Sequence, residues 1–283
     1  MKRKIIFILL VLGMEWSAAA SRPDIELAVI LKNCGEYCER LKKSIFSCTC
    51  LETVKETIRD PSGKKKQRDF LYDYQIVGQA GKVIESRVLQ KVDGVPVAKK
   101  KNAALETEFY SHYSIYVPII LFSRENQAHY RYKLLKREKL RGVQSWVLEI
   151  EPASADGISL HGRAWLDHDD SSVLRIDIAP EALGGFEKQK ANAMKMGATL
   201  SLTDTHWYEL ARDGIRFPTR TEIREKYEFN DENASAISSL RAGFPRPGPG
   251  NSTWKRSLTS FSYDRYRFFY VRMQTTIDLD QAG

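Results

Sequence analysis

Four cysteines lie close together near the start of the chain, and thiols can form disulfides or bind soft metal ions. Cys34 and Cys38 are four residues apart, and Cys48 and Cys50 are two apart. Their spacing does not match the paired Cys-x2-Cys pattern of a usual zinc ribbon. We therefore predict disulfides that join Cys34 and Cys38 to Cys48 and Cys50, with the connectivity open. A metal site and free buried thiols are the two alternatives.

The histidines and acidic residues do not form a recognisable catalytic group. The five histidines show no H-E-x-x-H motif, and the chain has no G-x-S-x-G, P-loop or dinucleotide-binding pattern. The run Asp167-His168-Asp169-Asp170 could hold a metal, but it lacks the spacing of a calcium loop and separates two strand-like segments. We interpret it as a polar hairpin turn. The sequence thus predicts no catalytic residue, no metal, no cofactor and no enzymatic activity.

The first twenty residues have the pattern of a secretory signal peptide. Basic residues at positions 2–4 precede an apolar run over 5–12, and three alanines at 18–20 resemble a cleavage site. The apolar run is well short of the roughly 20 residues that span a bilayer, which disfavours an uncleaved anchor. We expect a signal peptide over 1–20, cleavage near Ala20 and a soluble periplasmic protein.

Charge does not point to a nucleic-acid partner. The 283-residue chain has a net charge of +8, but its basic residues are dispersed in separate runs at 64–66, 99–101 and 131–141. Such runs are usually solvated surface. Contact with an anionic membrane surface is the alternative, whereas export argues against nucleic acid.

One long amphipathic helix is predicted over residues 24–46, with Asp24 as its N-cap. Its apolar residues recur at helical spacing and form one stripe: Leu27, Ile30, Leu31, Cys34, Tyr37, Cys38, Leu41 and Ile45. Further helices are predicted over 99–110 and over 180–196, the latter after the break at Gly184-Gly185. A Pro- and Gly-rich stretch at 241–255 predicts an exposed loop.

The rest of the chain alternates apolar and polar residues with the period of two that is typical of strands. Turns are predicted at 79–82, at Asp93-Gly94, at 167–170 and at Asp213-Gly214. About ten strands with one polar face each predict a mainly β (α+β) protein with a single antiparallel sheet. A sheet of that size tends to curl, which allows the N-terminal helix to pack on its concave side.

Two segments carry a resemblance to a known family. "LRGVQSWVLEIEP" at 140–152 and "GRAWLDHDDSSVLRIDI" at 162–178 occur in the order seen in exported bacterial proteins of the outer-membrane lipoprotein-sorting, LolA-like group. "YELARDGIRFPTRTEI" at 208–223 and "YDRYRFFYV" at 263–271 resemble two later strands of that group. The cysteine cluster departs from the family pattern.

This resemblance implies a single half-barrel domain over 21–283, an incomplete, strongly curved β-barrel with helices on its concave face. It also implies a carrier or chaperone that shields acyl chains of lipids or lipoproteins in an apolar cavity. The candidate lining residues are Trp146, Leu148, Ile150, Leu160, Leu166, Leu174 and Ile176. The alternative is a structural or interaction protein of the cell envelope, with a filled core and a surface for envelope partners.

Overall fold

The computed structural model describes residues 22–60, 62–79, 82–97, 105, 107, 109–154, 160–229 and 252–269. The predicted signal peptide and residues 241–251 of the predicted loop lie outside these ranges. No helix in the described part of the chain is long and apolar enough to cross a membrane.

Eleven strands form one antiparallel sheet that is not closed into a barrel, as the alternating segments predict. The spatial order is β4-β3-β2-β1-β13-β12-β9-β8-β7-β6-β5, so the last strand lies between β1 and β12. The strands are β1 (Cys48–Arg59), β2 (Lys65–Gln79), β3 (Lys82–Val92), β4 (Val95–Pro96), β5 (Tyr130–Leu140), β6 (Val143–Pro152), β7 (Gly162–Asp167), β8 (Val173–Ile178), β9 (Ala198–Trp207), β12 (Arg220–Phe229) and β13 (Ser252–Phe268).

A small hairpin of β10 (Leu210–Arg212) and β11 (Ile215–Phe217) lies beside the large sheet. Its turn contains Asp213 and Gly214, both with positive φ, as the Asp-Gly signal predicts. Pro218 separates β11 from β12, because proline has no N–H to donate to a sheet ladder. The chain therefore continues after this turn as two strands rather than one.

Helix α1 (Arg22–Ile45) is the predicted N-terminal helix and begins two residues before the predicted cap at Asp24. The centre of its apolar stripe is buried: Ile30, Cys34, Tyr37, Cys38, Leu41 and Ile45 are at most 3% exposed. The Tyr37 hydroxyl donates to the Arg216 carbonyl over 3.1 Å, which ties the helix to β11. We call the sheet face that shares this core the inner face, and its opposite the outer face.

The described residues also form three shorter helices, namely α2 (Val117–Phe122), α3 (Arg124–Gln127) and α4 (Phe186–Lys195). The prediction for 180–196 is largely confirmed, with a 3₁₀ turn at Pro180–Ala182 before α4. The helix predicted over 99–110 is wrong where it can be compared, since residues 105, 107, 109 and 110 are not helical. Sequence patterning missed α2, because Val117 to Phe122 is an apolar run without a period.

One end of the predicted loop at 241–255 is also corrected. Residues 252–255 belong to β13, which pairs with β12 from Ser252 onward. Trp254 lies opposite Tyr227 on β12, and their ring centroids are 5.2 Å apart. Cross-strand aromatic pairs of this kind stabilise a sheet, which explains why the strand begins earlier than the glycines and prolines suggest.

Candidate functional site

An apolar cavity of about 360 Å³ lies between the first turns of α1 and the inner face of the sheet. It is lined by Ile25, Glu26, Val29, Ile30, Asn33, Trp146, His168 and Ser171. Ile25 and Val29 are one helical turn apart and remain 57% and 53% exposed. Two large aliphatic side chains on the same face of a helix, beside a cavity and open to solvent, form a surface that an apolar ligand could cover.

Trp146 forms the wall of the cavity opposite α1. The His168 ring stacks against its indole at a centroid distance of 4.7 Å, and the Arg137 guanidinium lies 4.1 Å from the indole. Arg137 reaches this face because a bulge between Leu134 and Lys136 shifts the register of β5, so that Arg137 pairs directly with Trp146. Arg137 also forms an ion pair with Glu26 on α1. The apolar wall thus has a charged rim.

Among the predicted lining residues, only Trp146 lines this cavity. Leu148, Ile150, Leu166 and Ile176 share its face and are at most 1% exposed, packed in the main core. Leu160 is half-buried against the same core. These five residues fill the interior under the sheet.

Leu174 lies on the outer face, against the prediction that it lines the interior. It packs with Val147 and Trp165 in a separate small cluster. In the β7–β8 pairing, Trp165 lies opposite Arg175, but the next residue, Leu166, lies opposite Val173. Leu174 is therefore an extra residue in β8, which forms a β-bulge. An extra residue reverses the alternation of faces, so Val173 takes the inner position that a regular strand would give to Leu174.

The interior contains a buried ionic cluster that alternation did not reveal. Arg87 on β3 bonds bidentately to Glu52 on β1 over 2.6 and 2.9 Å, and it forms an ion pair with Glu85. Its guanidinium also lies 5.0 Å from the Tyr74 ring and 4.8 Å from the Tyr110 ring. Burial raises the pKa of the Glu52 carboxyl, and the Arg87 hydrogen bonds offset that shift only in part.

The described residues between 105 and 116 (105, 107 and 109–116) contact the interior and are fixed by hydrogen bonds to side chains of the strands. Glu56 accepts from the Thr107 N–H over 2.7 Å, and Glu85 accepts from the Tyr113 N–H over 2.6 Å. The Ser114 hydroxyl accepts from Tyr263 over 2.9 Å and lies 3.4 Å from Thr221. Polar side chains of β1, β3, β12 and β13 therefore bind a segment whose described residues belong to no helix or strand.

All four cysteines are buried free thiols, so the predicted disulfides are not formed. The Cys34 thiol is directed to the Ser171 carbonyl, the Cys38 thiol to the Pro118 carbonyl, and the Cys48 thiol to the Ile45 carbonyl. These three thiols are thus directed to backbone carbonyls of different segments. Burial raises the pKa of the Cys48 thiol to about 11 and also raises that of the other three.

The acidic turn between β7 and β8 is a structural turn held by its own carboxylates. Asp167 accepts from the Asp169 N–H over 3.1 Å, and Asp170 accepts from the Ser172 N–H over 2.8 Å. Arg216 adds a 3.0 Å bond to Asp167. In the ranges that the structure describes, no group of three or more His, Cys, Asp or Glu side chains is arranged to hold a metal ion.

The sequence contained a signal for the α1 side of the cavity. Ile25 and Val29 are apolar residues at i and i+4 outside the main stripe of the helix, and such exposed pairs are candidates for a contact surface. Their position beside Trp146 could not be inferred, because it depends on how α1 packs against the sheet.

Comparison with known proteins finds no matching family model and no matching curated protein. Several solved structures are similar to this chain. One, a DUF1329 family protein from Desulfovibrio piger, is 14% identical with a TM-score of 0.39, over 85% of this chain and 92% of that one. A putative outer membrane lipoprotein-sorting protein domain from Vibrio parahaemolyticus is 13% identical with a TM-score of 0.37, over 84% and 93%.

A LolA superfamily protein from Nitrosomonas europaea is 12% identical with a TM-score of 0.34, over 87% of this chain and 94% of that one. Likenesses of this size assign no residue roles, so the function has to be argued from the residues of this chain. Two of these three structures carry names of the lipoprotein-sorting, LolA-like group that the sequence motifs resemble.

Proposed function

We propose that this protein is a non-enzymatic, exported carrier that binds an acyl chain of a lipid or lipoprotein in the cavity between α1 and Trp146. The observation that carries the proposal is the pairing of that apolar cavity with the exposed side chains of Ile25 and Val29. Its volume of about 360 Å³ lies at the lower end of the range for small-ligand pockets.

Burial of alkyl groups supplies the driving force for such binding. Each methylene removed from water contributes about 0.8 kcal/mol, so a site of this kind needs apolar walls rather than reactive groups. Trp146 supplies one wall, and Ile25, Val29 and Ile30 supply the other. The ligand would therefore lie along α1, outside the packed core of Leu148, Leu166 and Ile176.

The rim of the cavity suits an amphipathic ligand. The Arg137 side chain is 58% exposed and its guanidinium lies over the Trp146 ring, and His168 and Asn33 add polar groups nearby. An anionic head group would meet Arg137 while its chain lies against Ile25 and Val29. The signal-like first twenty residues support a periplasmic location, where such ligands need to be shielded from water.

A second candidate is an envelope interaction protein without a ligand. The observation in its favour is the packed interior, because Leu148, Leu166 and Ile176 are all fully buried. In this case Ile25 and Val29 would contact a partner protein instead of an acyl chain.

Lipid extraction of the purified mature chain, followed by mass spectrometry and titration with a long-chain fatty acid, separates the two candidates. For the carrier, we expect bound acyl species and a saturable change in tryptophan fluorescence. An Ile25→Ser, Val29→Ser double variant should fold normally, because both side chains are exposed. It should bind the fatty acid at least about tenfold more weakly, because the loss of apolar contact removes about 1.4 kcal/mol or more of binding free energy.

The matched control is Val95→Ser on β4, an aliphatic side chain that is 65% exposed and far from the cavity lining. It should bind as the unaltered chain does. Equal fatty-acid affinity for the double variant and the control, or a chain that binds no acyl species, would rule out the carrier and leave the interaction protein.

A further inference from the structure

The outer face of the sheet has a row of alternating aromatic and guanidinium groups. Trp165 on β7, Arg175 on β8, Trp207 on β9 and Arg220 on β12 are direct cross-strand partners. The Arg175 guanidinium lies 4.4 Å from the Trp165 ring and 4.7 Å from the Trp207 ring, and Arg220 lies 5.5 Å from Trp207. Stacking on indole restricts a guanidinium while its N–H edges stay available to a ligand.

A cavity of about 480 Å³ adjoins this row. Trp207, Thr205 and Thr203 follow one another at alternate positions of β9 and form its floor. Residues of β8 form one wall and residues of β12 the other. The cavity also borders Ile178 and Pro180, where β8 ends. Among the described residues, β9 has no strand partner on that side before Asp204.

Positive charge exceeds negative charge in this outer cavity. Its cations are Arg175, Arg220, Arg224 and Lys226, and its outer-face carboxylates are Asp177 and Glu222. Asp204 also borders the cavity, but it is 3% exposed on the inner face beside His206. Four cations against two carboxylates leave an excess of two positive charges at the outer surface.

The pairing within the cavity leaves two of the cations available. Asp177 accepts from Arg175, and Glu222 accepts from Arg224 over 2.5 Å. Arg220 has only a 3.5 Å ion pair with Glu222. Among the residues that the structure describes, the side chains of Arg220 and Lys226 donate no hydrogen bond to a protein group. Their donors, and the hydroxyls of Thr203 and Thr205, border the same cavity.

We propose that this outer cavity is a binding site for a phosphate-bearing anion, held by Arg220 and Lys226 with the β9 threonines as hydroxyl donors. Guanidinium and ammonium groups form their strongest hydrogen bonds with phosphate oxygens, and fixed donors lose little freedom on binding. The site is separate from the acyl cavity, because Trp207 faces outward and Trp146 faces inward. A free phosphate compound and a phospholipid head group present the same chemistry to it.

Calorimetric titration of the full mature chain tests the proposal with three probes at low salt. The probes are inorganic phosphate, glycerol 3-phosphate, and phosphatidylglycerol vesicles compared with phosphatidylcholine vesicles. Saturable binding of a soluble probe identifies a free phosphate compound as the ligand, and binding of phosphatidylglycerol vesicles alone identifies a lipid head group.

An Arg220→Gln, Lys226→Gln double variant should bind the active probe at least about tenfold more weakly, since it removes the two cations that are proposed to hold the phosphate. The matched control is Arg131→Gln, Lys133→Gln on β5, which removes the same charge from a strand five positions away in the sheet. The control should keep the affinity to within about twofold, and both variants should bind fatty acid as the unaltered chain does.

Equal weakening in the double variant and the control would show non-specific attraction and overturn the proposal. Absence of saturable binding for all three probes would overturn it as well. Thermal unfolding of each variant confirms that it is folded, which is expected because the substituted side chains are all on the outer surface.

Discussion

Arg87 and Glu52 form a bidentate ion pair on the inner face of the sheet, with hydrogen bonds of 2.6 and 2.9 Å between side chains that are 11% and 0% exposed. Removing one partner of such an ion pair strongly lowers the stability of the fold, because the remaining charge stays buried without a partner. The pair joins β1 to β3 across β2 and also bonds to the Ser111 carbonyl of the interior segment.

We predict that Arg87→Met lowers the free energy of unfolding by about 3–5 kcal/mol, because it leaves Glu52 buried and unpaired. Urea denaturation measures the loss. Arg131→Met removes an exposed ion pair with Glu151 and should cost less than about 1 kcal/mol. Adding Glu52→Gln to Arg87→Met should recover part of the stability. If Arg87→Met and Arg131→Met lowered the free energy of unfolding equally, the buried ion pair would stabilise the fold no more than the exposed one.

Ser114 is a second buried point of attachment for the interior segment. Its hydroxyl is fully buried and is shared by Tyr263, Thr221 and Ser111. Ser114→Ala should lower the free energy of unfolding by about 1–3 kcal/mol, since these hydroxyls lose a partner in a dry interior. Ser44→Ala, at an exposed hydroxyl on α1, should change it by less than about 0.5 kcal/mol. If Ser114→Ala left the free energy of unfolding unchanged, the three hydroxyls would have found other hydrogen-bond partners.

Gly162 begins β7 with φ +148°, where a Cβ atom would lie 2.0 Å from the Asp177 carbonyl oxygen. We expect Gly162→Ala to destabilise the protein by more than about 4 kcal/mol or to prevent folding, because backbone of β8 would have to move. Gly142→Ala also has positive φ, but its Cβ meets nothing within 4 Å, so only about 1–2 kcal/mol of backbone strain is expected. Thermal denaturation and the soluble yield of both variants compare the two costs. Similar losses of stability in Gly162→Ala and Gly142→Ala would contradict the close approach of β7 and β8.

The buried thiols predict a loss of stability at alkaline pH. In the unfolded chain the thiols ionise near their ordinary pKa of 9.0, whereas burial raises the pKa of Cys48 to about 11 and that of Cys34 still further. The folded protein therefore holds these protons more tightly, and its free energy of unfolding falls as pH rises above about 9. Urea denaturation at a series of pH values measures the slope. Cys34→Ala should have a shallower slope, and an unchanged slope would show that other groups cause it.

Free thiols and disulfides are distinguished by mass. The structure predicts that the native chain has the mass of its fully reduced form, and two disulfides would make it about 4 Da lighter. Mass spectrometry of the intact chain under denaturing, non-reducing conditions measures this difference. A lighter native chain would restore the pairing that the sequence and an oxidising compartment favour.

The sequence by itself determined the large helix, most of the strands and their turns. These features follow from contacts between residues near each other in the chain, which leave a period of 3.6 or 2 in the apolar residues. It therefore predicted the stripe of α1, the hairpin at Asp213-Gly214 and the inward direction of Trp146, Leu148 and Ile150.

The tertiary structure alone decided which of those residues share a site. Bulges placed Arg137 beside Trp146 and turned Leu174 to the outer face, and neither bulge has a local sequence signal. The tertiary structure also brought two charged residues together on the inner face, where Glu52 on β1 and Arg87 on β3 meet across β2. The row from Trp165 to Arg220 exists because strand registers align four residues that are far apart in the chain, and a register is fixed by the packing of the whole sheet.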